Sequence, residues 1–214
     1  MKLIPFLILI IGISCYMQGC DVSTWDDYND WGTASQYVHF AILRAGYGIG
    51  HTDDYFETNY ANAKAAGVRV GAYWYSYASS ESDAVQEANS IMSLLAGKQF
   101  EWPIYYDIEE QSIFSAGIAS AIAKAFCRTL EANKFYCGVY SSASALNSYF
   151  DDEVKTSFTI WVAHWDVDVP SYYGDYGVWQ YHVGYTEGVD GQVDLDYGYI
   201  DFEPIMKENG LNGY

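Results

Sequence analysis

Positive charge is what this 214-residue chain has least of: 10 Lys and Arg stand against 28 Asp and Glu, a formal net charge of −18. A surface of that sign repels phosphate backbones, so nucleic acid is not expected as a partner. Proline is scarce at 4 residues and charged residues make up only 18% against 50% apolar, which excludes disordered, collagenous and linker-rich chains. No Cys-x-x-Cys pair occurs, and His39, His51, His164 and His182 show no metal-ligand spacing, so neither a metal nor another cofactor is expected. No Asn-x-Ser/Thr sequon is present. Long apolar runs are also missing after the first residues.

Those first residues carry one. Lys2 followed by the apolar stretch Leu3 to Ile13 reads as a secretory signal peptide, too short for the roughly 20 apolar residues of a membrane span. The expected division is residues 1–18 as signal and 19–214 as one domain, with no membrane association after signal removal. Secretion, or delivery to an acidic digestive lumen, would expose Cys15, Cys20, Cys127 and Cys137 to oxidation. Cys127 and Cys137, late in a helix and early in the next strand, are candidates for a bridge or for two buried thiols.

Aromatics are in excess: 7 Trp, 22 Tyr and 10 Phe are more than one core needs, and sugars stack on such rings. Eight β-rich runs are legible, at 19–23, 38–45, 68–77, 103–109, 135–141, 159–165, 177–181 and 192–195. Helical patterns intervene: Asp53-Asp54 as cap to Ala66, Ser80 to Gly97, and Ser115 to Asn133 with Ile118, Ile122, Phe126 and Leu130 at four-residue steps. Segments 166–175 and 186–190 read as loops. This alternation predicts an α/β, TIM-like barrel of parallel pairing whose helices are incomplete in the C-terminal third.

Catalytic groups of such a barrel sit at the C-terminal ends of the strands. Asp21, Asp107, Glu109 and Asp194 all fall near expected strand ends. Asp107 and Glu109, two apart, share a face of one strand, a spacing suited to paired carboxylates about a glycosidic bond. Glu109 is the candidate acid. Tyr75 and Tyr77 near the rim, with Tyr140, Trp161 and Gln180 ending other strands, are candidate substrate contacts; Tyr73 is read as core, and Trp25, Trp31 and Trp102 as packing residues. Gly46-Tyr47-Gly48-Ile49-Gly50 superficially invites a dinucleotide, but its third glycine comes one residue early, with His51 in the expected place.

In order along the chain stand Cys20-Asp21-Val22-Ser23, Trp31, Ala41 to Gly48, Gly71 to Ala78, Pro103 to Glu109, Trp161-Val162-Ala163, Val178 to Tyr181 and Gly191 to Leu195. Together they resemble the glycoside hydrolase family 25 lysozymes, from about residue 19 to 197. The resemblance implies a flattened, irregular (β/α) barrel that hydrolyses the β-1,4 bond between N-acetylmuramic acid and N-acetylglucosamine in peptidoglycan, with net retention. It matches Glu109 to the general acid, Asp107 to the group that stabilises the oxocarbenium-like state or orients the substrate acetamido group, and Asp21 and Asp194 to the two acids that tune Glu109 and hold sugar or water. The chain departs at Asp196, where the family commonly has Asn. Peptidoglycan is thus the expected partner and a monomer the expected state. A non-catalytic sugar-binding module and a hydrolase of chitin-like N-acetylglucosamine polymers are the alternatives.

Overall fold

The computed structural model describes residues 16–26 and 29–214; residues 1–15 of the expected 1–18 signal, Cys15 included, lie outside them, while Met17 and Gln18 of that segment belong to the first strand. In chain order the elements are β1 (Met17–Val22), α1 (Trp31–Ala34), β2 (Phe40–Tyr47), β3 (His51–Thr52), α2 (Phe56–Ala65), β4 (Arg69–Tyr75), α3 (Glu81–Leu95), β5 (Ile104–Asp107) and α4 (Gln111–Ala116). Then come α5 (Ala119–Ala132), β6 (Cys137–Ser142), α6 (Ala143–Tyr149), α7 (Asp152–Ser157), β7 (Thr159–Ala163), β8 (Val178–Gly184), β9 (Val193–Gly198) and α8 (Phe202–Asn209). The sheet order β1-β9-β8-β7-β6-β5-β4-β2-β3, with β1 also paired to β2, closes an eight-stranded barrel from which β3 hangs as a hairpin edge.

All eight anticipated runs are barrel strands, but the last is not parallel. β9 runs antiparallel to both β8 and β1. The short 186–190 connection explains this, since a parallel return needs a crossover of a dozen or more residues. The helix expected over 115–133 is two, broken at Gly117, which takes the left-handed conformation (φ 70°). Ser80 caps α3 as expected, accepting from the Asp83 amide. Asp53 does not cap α2; the N-cap is Tyr55, without a side-chain bond, and Asp53 instead takes Arg44.

Strand alternation sorts the apolar residues into two layers. Val70, Trp74, Tyr106 and Val139 point outward against Ile91, Phe126 and Leu130 of α3 and α5. Phe40, Ile42, Tyr73, Tyr105, Tyr140 and Trp161 fill the lumen, and Phe202 and Met206 of α8 join them. Glycines opposite the largest rings make the lumen fit: Gly19 faces Phe40, Gly198 faces Trp102, and Gly138 faces Tyr105. Phe40 and Trp102 can then stack, 3.6 Å between centroids at 7°. No helix lies between β7 and β8 or between β8 and β9 among the described residues, as the loop-like 166–175 and 186–190 led one to expect. Aromatics partly cover that outer wall instead: Tyr181 stacks on Tyr197 at 3.8 Å and 2°, and Tyr16 lies 4.0 Å from Tyr197. Part of the tyrosine excess is spent here.

Cys127 and Cys137 are not bridged. Both are buried free thiols, each 3.6 Å from the Gly138 carbonyl oxygen, and they pack as small apolar groups between α5 and β6. Cys20 is likewise buried and free.

The lumen's fit is testable at Gly138, where an added Cβ would meet the Tyr105 ring at 2.5 Å and the Thr159 methyl at 2.7 Å. Gly138→Ala is expected to cost about 1–3 kcal/mol through overpacking. An unchanged urea midpoint would contradict a filled barrel.

Candidate active site

The mouth of the barrel is built by register. Asp107 ends β5 with Tyr75 of β4 and Tyr140 of β6 as its Cα partners on either side. Asp21 of β1 stands opposite Asp194 of β9. Asp194 therefore lies at the beginning of its strand, not near the end as expected; it reaches the same rim only because β9 runs backwards. Glu109 follows two residues after Asp107, exposed at the entrance to α4.

These four acids line one cavity of about 310 Å³ together with Tyr75, Tyr140, Trp161 and Gln180. Tyr77 lies outside it, its ring 5.1 Å from that of Tyr75. Trp161, 1% exposed, forms the floor: its ring packs 4.4 Å from Tyr140 and 5.2 Å from Tyr105, and its indole N–H donates to Asp196 Oδ1 at 2.8 Å. Gln180 is also buried and ties the acids to the aromatics. Its Nε2 donates to Asp21 Oδ2 (2.7 Å), while its Oε1 accepts from the Tyr140 hydroxyl (2.8 Å) and the Trp165 indole (3.0 Å). A larger cavity of about 660 Å³ lies by Tyr136, Tyr172 and Tyr176, but its carboxylates Asp152 and Asp175 are exposed, so convergence of acids and not size identifies the site.

Three residues of the cavity wall, Trp25, Arg44 and Asp26, escaped the sequence. Trp25, read there as a packing residue, is 82% exposed and lines the cavity, whereas Trp31 and Trp102 are buried as expected. Its loop is unpaired to any strand, so no periodicity marks its side. Among the described residues Arg44 is the one cation of the wall; its Nε meets Asp53 Oδ2 at 2.7 Å, and the same carboxylate accepts from the Thr24 and Tyr55 amides. Alternation with Phe40 and Ile42 on β2 could have placed Arg44 inward. Asp26, the third, accepts from the Ser23 amide at 2.7 Å. Asp196, which the sequence already marks as a departure from the family's Asn, does not line the cavity but is wholly buried beneath Asp21 and Asp194, with Oδ2 unpartnered.

Crowding of like charges over an aromatic floor decides protonation. Burial first, and then the charges of Asp196 and Asp194, hold Asp21 well above the usual carboxylate range, against the Gln180 hydrogen bond. Asp196 is held up by burial and then by the charge of Asp194, opposed by the hydrogen bond from Trp161. Burial and then Glu109 raise Asp107, with Arg44 opposing. Glu109 is raised by desolvation first; a hydrogen bond with Asp107 opposes, and Asp194 and Glu110 add. Both carboxyls of the Asp107–Glu109 pair are therefore held above the usual carboxylate range. Asp194 is pushed up to about 6 by desolvation and then by Asp26. Tyr75 donates its hydroxyl to Glu110 Oε1 at 2.9 Å. Among the described residues no group of His, Cys, Asp and Glu is arranged to hold a metal, and no helix is long and apolar enough to cross a membrane.

A carboxyl raised on folding binds protons more tightly in the folded state, so the stability it confers is full below the unfolded value and is lost as pH rises through the folded one. For Asp194 that window runs from about 4 unfolded to about 6 folded. The protein is expected to be more stable near pH 4.5 than at pH 7.5, and Asp194→Asn to remove on the order of 2 kcal/mol of that difference. Urea midpoints across this range that do not fall with rising pH would contradict the crowding.

Comparison with known proteins agrees with this geometry. Residues 20–189 match the glycosyl hydrolases family 25. Lysozyme M1 of Streptomyces globisporus is 32% identical over 200 residues, covering 83% of this chain and 66% of that protein's length. The bacterial lysozyme of Streptomyces coelicolor superposes with a TM-score of 0.73 at 28% identity, over 85% of this chain and 91% of that one. The modular autolysin LytC of Streptococcus pneumoniae, solved with a synthetic peptidoglycan ligand, shares the fold at TM-score 0.76 and 24% identity, over 87% of this chain and 47% of that one. With its closed barrel and its acids gathered at the mouth, the chain belongs to glycosyl hydrolases family 25.

Proposed function

We propose that this chain is a secreted N-acetylmuramidase that cleaves the β-1,4 bond between N-acetylmuramic acid and N-acetylglucosamine in peptidoglycan. The observation that carries the reading is the convergence of Asp21, Asp107, Glu109 and Asp194 in one cavity at the barrel mouth. Glu109 is the exposed member of the Asp107–Glu109 pair and is held above the usual carboxylate range, so it is the group that meets a glycosidic oxygen and serves as general acid. Asp107, fixed below it with Oδ1 unpartnered, faces the developing positive charge or orients the substrate's acetamido group for internal attack. Internal attack by the acetamido group gives net retention, the outcome expected here. Asp21 and Asp194 hold sugar or water on the opposite wall, Asp21 through its bond from Gln180. Tyr75, Tyr77 and Trp25 offer rings to the sugar faces, while Tyr140, Trp161 and Gln180 hold the acids in place from below.

The apolar stretch Leu3 to Ile13 after Lys2 supports export. Proton-retaining acids and a net charge of −18 suit an acidic medium with enough salt to screen repulsion from an anionic wall. The enzyme is taken to act as a monomer on the polysaccharide.

Glu109→Gln is expected to lower turnover about 10²- to 10⁴-fold without unfolding the barrel, read as clearing of purified bacterial walls and release of reducing muramic acid ends. Wild-type clearing is expected to weaken as pH rises past neutrality. Equal clearing by the variant would remove Glu109 from the mechanism. Turnover of pure chitin oligomers at the rate of peptidoglycan strands would contradict the assigned substrate.

A further inference from the structure

The aromatic rings of the rim continue past the cavity. From Tyr75 at its edge the next ring is Tyr77; Tyr77 meets Tyr47 edge-on at 6.1 Å, and Tyr47 stacks on His51 at 5.1 Å and 6°. The row thus runs from the cavity over β4 and β2 onto the β2–β3 hairpin. Gly46 to Gly50, which mimics a nucleotide loop in the sequence, is the turn that sets Tyr47 opposite His51. Gly48 and Gly50 in the turn have φ of 54° and 80°, which favours glycine.

These rings are exposed and yet held. Tyr77 is 57% and Tyr47 37% accessible, and His51 is exposed. The Tyr77 amide donates to Glu87 Oε1 at 3.0 Å; Glu87 is a buried acid, 1% exposed, whose other oxygen accepts from the Tyr106 hydroxyl at 2.6 Å. The Gly48 amide donates to the Tyr75 carbonyl at 3.0 Å, and the buried Trp74 indole donates to the Gly48 carbonyl at 2.9 Å. Glu87 thus serves the core hydroxyl of Tyr106 with one oxygen and holds the backbone that carries the Tyr77 ring with the other. A contiguous exposed aromatic row fixed in this way reads as a contact surface. Its chemistry is that of sugar C–H faces on flat rings. Arg44, 5.9 Å from the Tyr47 ring, covers part of that plank, leaving Tyr77 and His51 as the outer contacts.

We infer that Tyr77, Tyr47 and His51 form a saccharide-binding site outside the cleavage cavity, taking the N-acetylhexosamine units of a glycan strand that lie beyond those held among the acids. The inference rests on the glycan-hydrolase reading above. The site makes the enzyme favour long strands, because only they reach from Glu109 to the hairpin.

The test is kcat/KM on peptide-free glycan strands separated by length, for the full chain and for Tyr47→Ala/His51→Ala. Wild-type kcat/KM is expected to rise with strand length. In the double variant the ratio of long-strand to short-strand kcat/KM should fall roughly two- to tenfold through KM. Single variants guard against misfolding: His51→Ala should lower the ratio, and His51→Phe, which keeps a ring, should preserve it. An unchanged ratio in folded variants overturns this site and leaves the hydrolase standing. Failure of the wild type to cleave any strand overturns both.

Discussion

The mouth of this barrel depends on one seam, the antiparallel insertion of β9 between β8 and β1. Had β9 run with its neighbours, Asp194, the second residue of the strand, would sit at the closed end under α8. Reversed, it faces Asp21 across the seam and brings Asp196 in below. Like charges directly opposite in a sheet repel, and the seam relieves that repulsion by keeping protons. A barrel of ordinary strand direction would not assemble these acids from these positions.

The rest of the molecule supports the seam from beneath and behind. Trp161 lies on Tyr73, Tyr105 and Tyr140, so the acids rest on a floor of rings and not on water. That floor lowers the local dielectric and strengthens each charge interaction above it. Arg44, anchored by buried Asp53, offsets part of the negative charge at Asp107. Gln180 joins β8 to β1 through Asp21 and to β6 through Tyr140, making the two halves of the mouth one hydrogen-bonded unit. The chain's acidity is thus partly neutralised where it is most concentrated, by shared protons and one cation.

What the sequence could reveal followed the range of its periodicities. Alternation within strands placed Asp107 and Tyr75 correctly, and the order of strands and motifs sufficed for the barrel and the family. Strand direction is not local: nothing between Gly191 and Leu195 tells whether β9 ascends or descends, so Asp194 was put on the right rim for the wrong reason. Trp25 looked like core because tryptophan usually is, and only the fold shows its loop at the mouth. The Asp53 side chain could cap a helix or meet Arg44; a partly buried guanidinium is the stronger partner. Cys127 and Cys137 are close enough in sequence to suggest a bridge, but one carbonyl oxygen serves both thiols. The short helices α6, α7 and α8 carry too few turns to show a period.

The central claim is that the acids at the mouth hold their protons above the usual carboxylate range because the barrel packs them together. Carbon-detected NMR titration of the side-chain carboxyls from pH 3 to 8 tests it directly. The account predicts that Asp21, Asp107, Asp196 and Glu109 titrate above the usual carboxylate range and that Asp194 titrates near 6. Independent titration of all of these carboxyls below pH 5 would contradict it.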